Sequence, residues 1–210
     1  MKLDPSHARD KERNVTLTTL RLAAAAAIVP TLLAYVDTPW RTFRQRVVAH
    51  RWAERMVLLS IELNLLLLWL VAKLLVNRDA GLAPESWSWG LACAGFLLAW
   101  AGAALTIWAK LSLGRWFSAS FAVKQGHELI THGPYAIVRH PIYVGLLLLG
   151  VGLGITWDSL LTTLFAALYA VPFWLHTVFE EQMLATHFGD AWTSYTRRVP
   201  RFVPSWRVRR

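Results

Sequence analysis

Residues 127–145 read HELITHGPYAIVRHPIYVG and hold three of the chain's seven histidines, with Arg139, Tyr135 and Tyr143 among them. Ionisable groups packed this densely inside an apolar chain mark function, because they are costly at membrane depth. Gly133 and Pro134 suit a turn, and Pro141 suits the first turn of a helix, where its missing N–H costs nothing. A helix beginning at Pro141, with Arg139 and His140 just outside it, presents an anion-binding end able to hold a carboxylate or phosphate. The same residues also suit a plainer role, as a snorkelling arginine, an interfacial histidine and belt tyrosines.

A second polar cluster lies about 35 residues on, at His176, Glu180 and Glu181. His176 and Glu180 are four apart and share one helical face. Adjacent residues cannot both face the same way, and periodicity leaves open whether Glu180 or Glu181 turns inward.

The elements that must position these groups are apolar helices. The chain has 210 residues, 55% hydrophobic, with 12 tryptophans, a composition expected of an integral membrane protein rather than a soluble domain. A helix needs ~20 residues to cross ~30 Å of hydrocarbon, and four stretches qualify: 15–36, 56–76, 87–113 and 142–179. The last is too long for one crossing and is interrupted by Thr156, Trp157, Asp158 and Ser159, of which the Asp or Ser suits a helix cap. It therefore reads as a helical hairpin, with the fourth span short at 142–155. The expected fold is all-α, with five transmembrane helices, the last two a hairpin, in one domain over residues 1–210. An amphipathic helix over 182–195, with Met183, Leu184, Phe188, Trp192 and Tyr195 as its apolar positions, would follow as an anchor or a lid.

Arginine and lysine bias short loops toward the cytoplasm. Arg41, Arg44, Arg46, Arg51 and Arg55 follow the first span, Lys110, Arg115, Lys124 and Arg139 follow the third, and six arginines lie in the tail from Arg197 to Arg210. With five spans all three segments fall on one face, which predicts an outward N-terminus and a cytoplasmic C-terminus and active site. The first fourteen residues are mixed in charge and precede no convincing cleavage site, so the first helix is expected to stay. The net charge of +9 fits a basic face against anionic headgroups and calls for no nucleic acid. Cys93 alone excludes an intramolecular disulfide and a cysteine metal site, and the histidine spacings argue against a di-metal centre. Gly95, Ala99, Ala103 and Ala104 suit close helix approach. Gly150, Gly152 and Gly154 have the wrong spacing for a nucleotide loop, and no dinucleotide fingerprint of a Rossmann domain is present.

The first block, paired with EEQMLATHFGDAWTSYTRRVPRFVP across the hairpin, resembles the isoprenylcysteine carboxyl methyltransferase family over residues 121–204. That resemblance implies an integral membrane enzyme using S-adenosyl-L-methionine, with 114–210 as the cofactor-binding and catalytic region; residues 1–113, which hold the first three helices by their apolar stretches, carry none of the resemblance. It implies that His127, Glu128, Leu129, Ile130, Tyr135, His140, Pro141, Ile142, Tyr143 and Glu180 hold the cofactor, and that Glu180, His176 and Arg139 stand at the reacting centre. The lipophilic acceptor would enter sideways from the bilayer. Eukaryotic members place an arginine where this chain has His176, so a prenylcysteine carboxylate, a phospholipid amine and a thiol all stay open as acceptors. FG, Trp192, the following Tyr195 and VPR are also similar to the NADPH-dependent membrane sterol reductases, while GPY and the Glu180–Glu181 pair favour the methyltransferases. A non-enzymatic membrane protein is the remaining alternative.

Overall fold

Backbone polar groups in hydrocarbon can be satisfied only within helices or closed barrels, and the apolar runs are helical in this computed structural model, which describes residues 5–34, 47–50, 52–75, 88–117 and 122–204. In chain order the helices are α1 (Pro5–Ala25), α2 (Ile28–Leu33), α3 (Trp52–Leu75), α4 (Ser88–Leu113), α5 (Pro141–Thr156), α6 (Leu160–Leu168), α7 (Ala170–Phe188) and α8 (Asp190–Arg198). Three stretches are long and apolar enough to cross a membrane, Glu12–Leu33, Trp89–Trp116 and Leu160–Phe188, and two shorter apolar helices are Leu59–Leu70 and Pro141–Thr156. Leu66, Leu67, Leu97, Leu111 and Trp174 are exposed, as an apolar surface turned to lipid would be. The chain is a helical integral membrane protein.

The α4–α5 pair forms the tightest helix contact, because glycines let the two backbones meet. A Cβ on Gly95 would stand 2.7 Å from the Gly152 carbonyl oxygen and 2.6 Å from the Thr156 amide, and one on Gly145 would stand 2.7 Å from the Gly102 oxygen. Ala99, Ala103 and Leu149 fill the space between, with Ala27. The packing role expected of Gly95, Ala99 and Ala103 therefore holds, and Gly152 shares it, whereas Ala104 is exposed. Gly152→Ala should lower stability by about 1–3 kcal/mol through overpacking, read as a drop in the detergent melting temperature. Gly90→Ala, where a Cβ meets nothing within 4 Å, should cause no drop.

The hairpin forms where the polar interruption predicted it. Asp158 takes a left-handed φ of 51°, and Ser159 caps α6 by accepting from the Thr162 amide at 3.1 Å. The turn lies beside α3, where Lys73 donates to Ser159 at 3.1 Å. At the far ends Tyr143 of α5 stacks on Phe173 of α7, ring centroids 5.3 Å apart.

Three expectations are corrected. The fold is not purely helical: β1 (Val47–His50) and β2 (Ala122–Lys124) pair antiparallel, with a register shift between Val47 and Ala49. Val47 and Val48 in one segment and Val123 in the other are β-branched residues that suit extended backbone. The first apolar stretch is divided by a turn at Ala26 and Ala27 into α1 and α2, and its predicted end at Val36 lies outside the described residues. The expected amphipathic helix over 182–195 is broken at Gly189, whose φ of 53° is a conformation glycine adopts without steric cost. Its apolar positions still converge, because Leu184 and Phe188 from α7 pack on Trp192 and Tyr195 from α8.

Candidate active site

Pro141 starts α5 with His140 as its N-cap residue, so the first motif block is delivered to the mouth of the hairpin, opposite the end of α7. A cleft of about 260 Å³ opens there. Its wall takes His127, Glu128, Leu129, Ile130 and Tyr135 from the loop, Arg139, His140, Ile142 and Tyr143 from the α5 start, and His176 and Glu180 from α7. Every residue expected on the cofactor side lines this one cleft except Pro141, which is buried at the first turn of α5 and positions its neighbours.

The structure answers which glutamate faces the cleft. Glu180 lines it, and its Oε2 meets the Tyr143 hydroxyl at 3.4 Å and His140 Nδ1 at 3.5 Å. These are long contacts that leave the carboxylate able to take a closer cationic partner. Glu181 instead turns toward the tail and is held by Arg139 at 3.0 Å, His140 Nε2 at 2.9 Å and both nitrogens of an Arg201 fork at 3.0 and 2.6 Å. Arg201, one of the six arginines of the tail, is thus turned inward as a clasp on Glu181. Arg139 lines the cleft, but its guanidinium also donates to the Val199 oxygen at 2.8 Å and the Thr196 oxygen at 3.2 Å. Backbone bonds from Arg139 to Pro200 and from His140 to Arg201 complete the strap. Tyr195 adds a hydroxyl bond to the Tyr135 oxygen at 2.7 Å, and burial pushes its phenol up to about 12.

His140 has a carboxylate against each ring nitrogen. Burial works against its charge, but the bonds to Glu180 and Glu181 outweigh burial and raise its pKa above the usual imidazole value. His127 goes the other way. It stacks on Trp116 at 5.0 Å and meets the edge of Phe188 at 5.6 Å, and burial, aided by His187 and Lys124, lowers its pKa to about 4. His127 is therefore neutral near pH 7, and its buried Nδ1 finds no hydrogen-bond partner among the described residues. A histidine whose folded pKa is depressed resists the proton that the unfolded chain accepts, so its contribution to stability is full above pH 6.5 and is lost as pH falls toward 4. Thermal unfolding at pH 5 should thus begin at a lower temperature than at pH 7, and His127→Gln should narrow that difference.

Two charged residues of the cleft escaped the sequence reading. Arg55 and Glu62 of α3 line it beside His176, with Arg55 3.3 Å from His176 Nε2 and 3.8 Å from Glu62 Oε1, and with Glu62 bonded to His176 Nε2. The signal was available for Glu62, because an acid inside the apolar stretch 56–76 is a functional candidate by default. Trp116 and Phe188 also join the wall. Among the described residues no cluster of His, Cys, Asp or Glu has the makings of a metal site.

Set against known proteins, residues 91–191 match the family model described as phospholipid methyltransferase. The particular relatives are these. Protein-S-isoprenylcysteine O-methyltransferase of Schizosaccharomyces pombe is 34% identical over 46% of this chain and 42% of its own length. Cobalt-zinc-cadmium resistance protein CzcN of Cupriavidus metallidurans is 36% identical over 44% of each. The solved structure of the eukaryotic intramembrane Ras methyltransferase, isoprenylcysteine carboxyl methyltransferase, superposes with a TM-score of 0.51 at 30% identity, covering 55% of this chain and 42% of that one. The chain spans less than half the length of these relatives. The resemblance to the isoprenylcysteine carboxyl methyltransferase family carried by the two motif blocks is borne out by these matches.

Proposed function

We propose that this protein is an integral membrane methyltransferase that uses S-adenosyl-L-methionine and acts on a lipophilic acceptor. The observation that carries the reading is the single cleft into which both motif blocks converge. Its donor set suits the cofactor: aromatic walls at Trp116, Tyr135 and Phe188 for an adenine, a carboxylate at Glu180 for an amino or sulfonium charge, and an unmet polar atom at His127 Nδ1. His127, Glu128, Leu129, Ile130, Tyr135, His140, Ile142, Tyr143 and Glu180 would hold it, with Pro141 fixing the start of α5. When bound, it supplies an electrophilic methyl group on a sulfonium. The protein's own contribution is alignment in a site that excludes water, with His176 and Arg139 on the side of the acceptor.

The domain reads as one unit over residues 1–210, with the first three helices in 1–113 and the cofactor-binding and catalytic region in 114–210, to whose cleft α3 adds Arg55 and Glu62. α3 and the two arms of the hairpin complete five spans, with the N-terminus outward and the cleft and C-terminus cytoplasmic. This arrangement lets the cofactor arrive from water and the acceptor from lipid. Incubation of the purified protein with methyl-tritiated S-adenosylmethionine and extracted membrane lipid should move label into the organic phase. Label confined to the aqueous phase, over a range of lipid sources, counts against the proposal.

A further inference from the structure

The cluster formed by Arg55, Glu62 and His176 is unused by the cofactor reading. It joins two helices that are distant in sequence, α3 and α7, and all three side chains line the cleft. Arg55 and Glu62 keep 22% and 20% of their side-chain surface open and His176 keeps 4%, so the guanidinium and the carboxylate face the cavity and the imidazole backs them. The His176 ring also stacks against Tyr143, centroids 5.7 Å apart, and Glu180 follows one helical turn along α7.

We propose that Arg55, Glu62 and His176 form the acceptor subsite, and that it takes a thiol or hydroxyl head on an apolar tail in preference to a carboxylate. The inference rests on the methyltransferase reading above and names its substrate class. The argument is one of charge. Arg55 is the cation nearest His176, and Glu62 offsets it within 3.8 Å. Arg139 and Arg201 share the carboxylate of Glu181, and His140 is bonded to Glu180 and Glu181. An acidic head entering beside His176 would meet the carboxylates of Glu62 and Glu180, and would have to compete with a carboxylate already bonded to each of these cations; like charges at close range disfavour ionisation. A neutral head escapes that cost but must lose a proton when it is methylated. Glu62 is placed to take it, because its carboxylate lines the cleft and is held in position by its bond to His176 Nε2. In the balanced step the lone pair of the acceptor sulfur or oxygen forms the new bond to the methyl carbon. The bond from that carbon to the sulfonium sulfur breaks with its pair staying on sulfur. The acceptor's proton passes to the Glu62 carboxylate, which His176 orients.

The test is a head-group preference measured on the full chain in nanodiscs saturated with S-adenosylhomocysteine. The probes are 1-dodecanethiol and dodecanoate, each corrected for partition into empty nanodiscs. The wild type should bind the thiol more tightly. Glu62→Gln removes a negative charge 3.8 Å from the Arg55 guanidinium and should raise dodecanoate affinity by about tenfold or more, with little change for the thiol. A merely structural ion cluster would not invert a head-group preference. Retained S-adenosylhomocysteine binding certifies that the variant is folded; where it is lost, Arg55→Gln is read instead and should weaken dodecanoate further. A wild type that prefers dodecanoate, a preference unmoved by the variants, or binding of neither probe would overturn the subsite. Failure of the wild type to bind S-adenosylhomocysteine is read separately, and overturns the methyltransferase reading beneath it.

Discussion

Glu180→Ala is expected to weaken S-adenosylhomocysteine binding by about 10- to 100-fold while leaving the melting temperature of the ligand-free protein nearly unchanged. A hydrogen bond to a charged group contributes about 1.5–3 kcal/mol, and each 1.4 kcal/mol is about tenfold in affinity. Glu180 faces the cleft, and its contacts to Tyr143 and His140, at 3.4 and 3.5 Å, are longer than those of Glu181 and contribute less to folding. Its removal therefore takes away a ligand partner rather than a structural one. Isothermal titration of the variant reads the first quantity and differential scanning fluorimetry the second. An unchanged affinity would remove Glu180 from the cofactor site.

Glu181→Ala should do the reverse in kind, though the two residues are adjacent. Glu181 accepts from Arg139, His140 and Arg201, and its side chain is only 13% exposed. Deleting one partner of a buried ion cluster costs about 3–5 kcal/mol, because the remaining charges are left uncompensated. Here the orphans would be two guanidiniums and a histidine. The strap formed by residues 199–201 depends on the same groups, so its release should loosen the backbone around Arg197 and Arg198, which are already exposed, and around Arg201, and let trypsin cleave there. Limited proteolysis followed by mass spectrometry should find early cleavage there in Glu181→Ala and not in Glu180→Ala. A tail that stays protected in the first variant would show that the backbone bonds from Arg139 and His140 hold the strap unaided.

The contrast between these neighbours explains what could be read before the fold was known. Pro141 and Ser159 are local signals, a proline at the first helical position and a capping hydroxyl, and each begins a helix where its chemistry requires. The hairpin followed from them, and with it the meeting of the two motif blocks. The choice between Glu180 and Glu181 could not follow, because it depends on where Arg139 and Arg201 reach from other parts of the chain. Arg201 itself looks like an interfacial anchor when only its neighbours in sequence are considered. Arg55 reads as one more loop arginine for the same reason, and its partner His176 lies 121 residues away. The pairing of β1 with β2 is equally non-local, and Gly189 breaks a helix whose apolar positions run on without interruption. Spacing thus conveyed the elements and their order, while long charged side chains, which cross between elements, set the details of the site.

The most direct trial of the central claim is calorimetric titration of the purified full chain with S-adenosylhomocysteine and, in parallel, with NADPH. Saturable binding of S-adenosylhomocysteine, lost or strongly weakened in Glu180→Ala, is the result this account predicts. Binding of NADPH without S-adenosylhomocysteine would contradict it and make the cleft the site of a reductase.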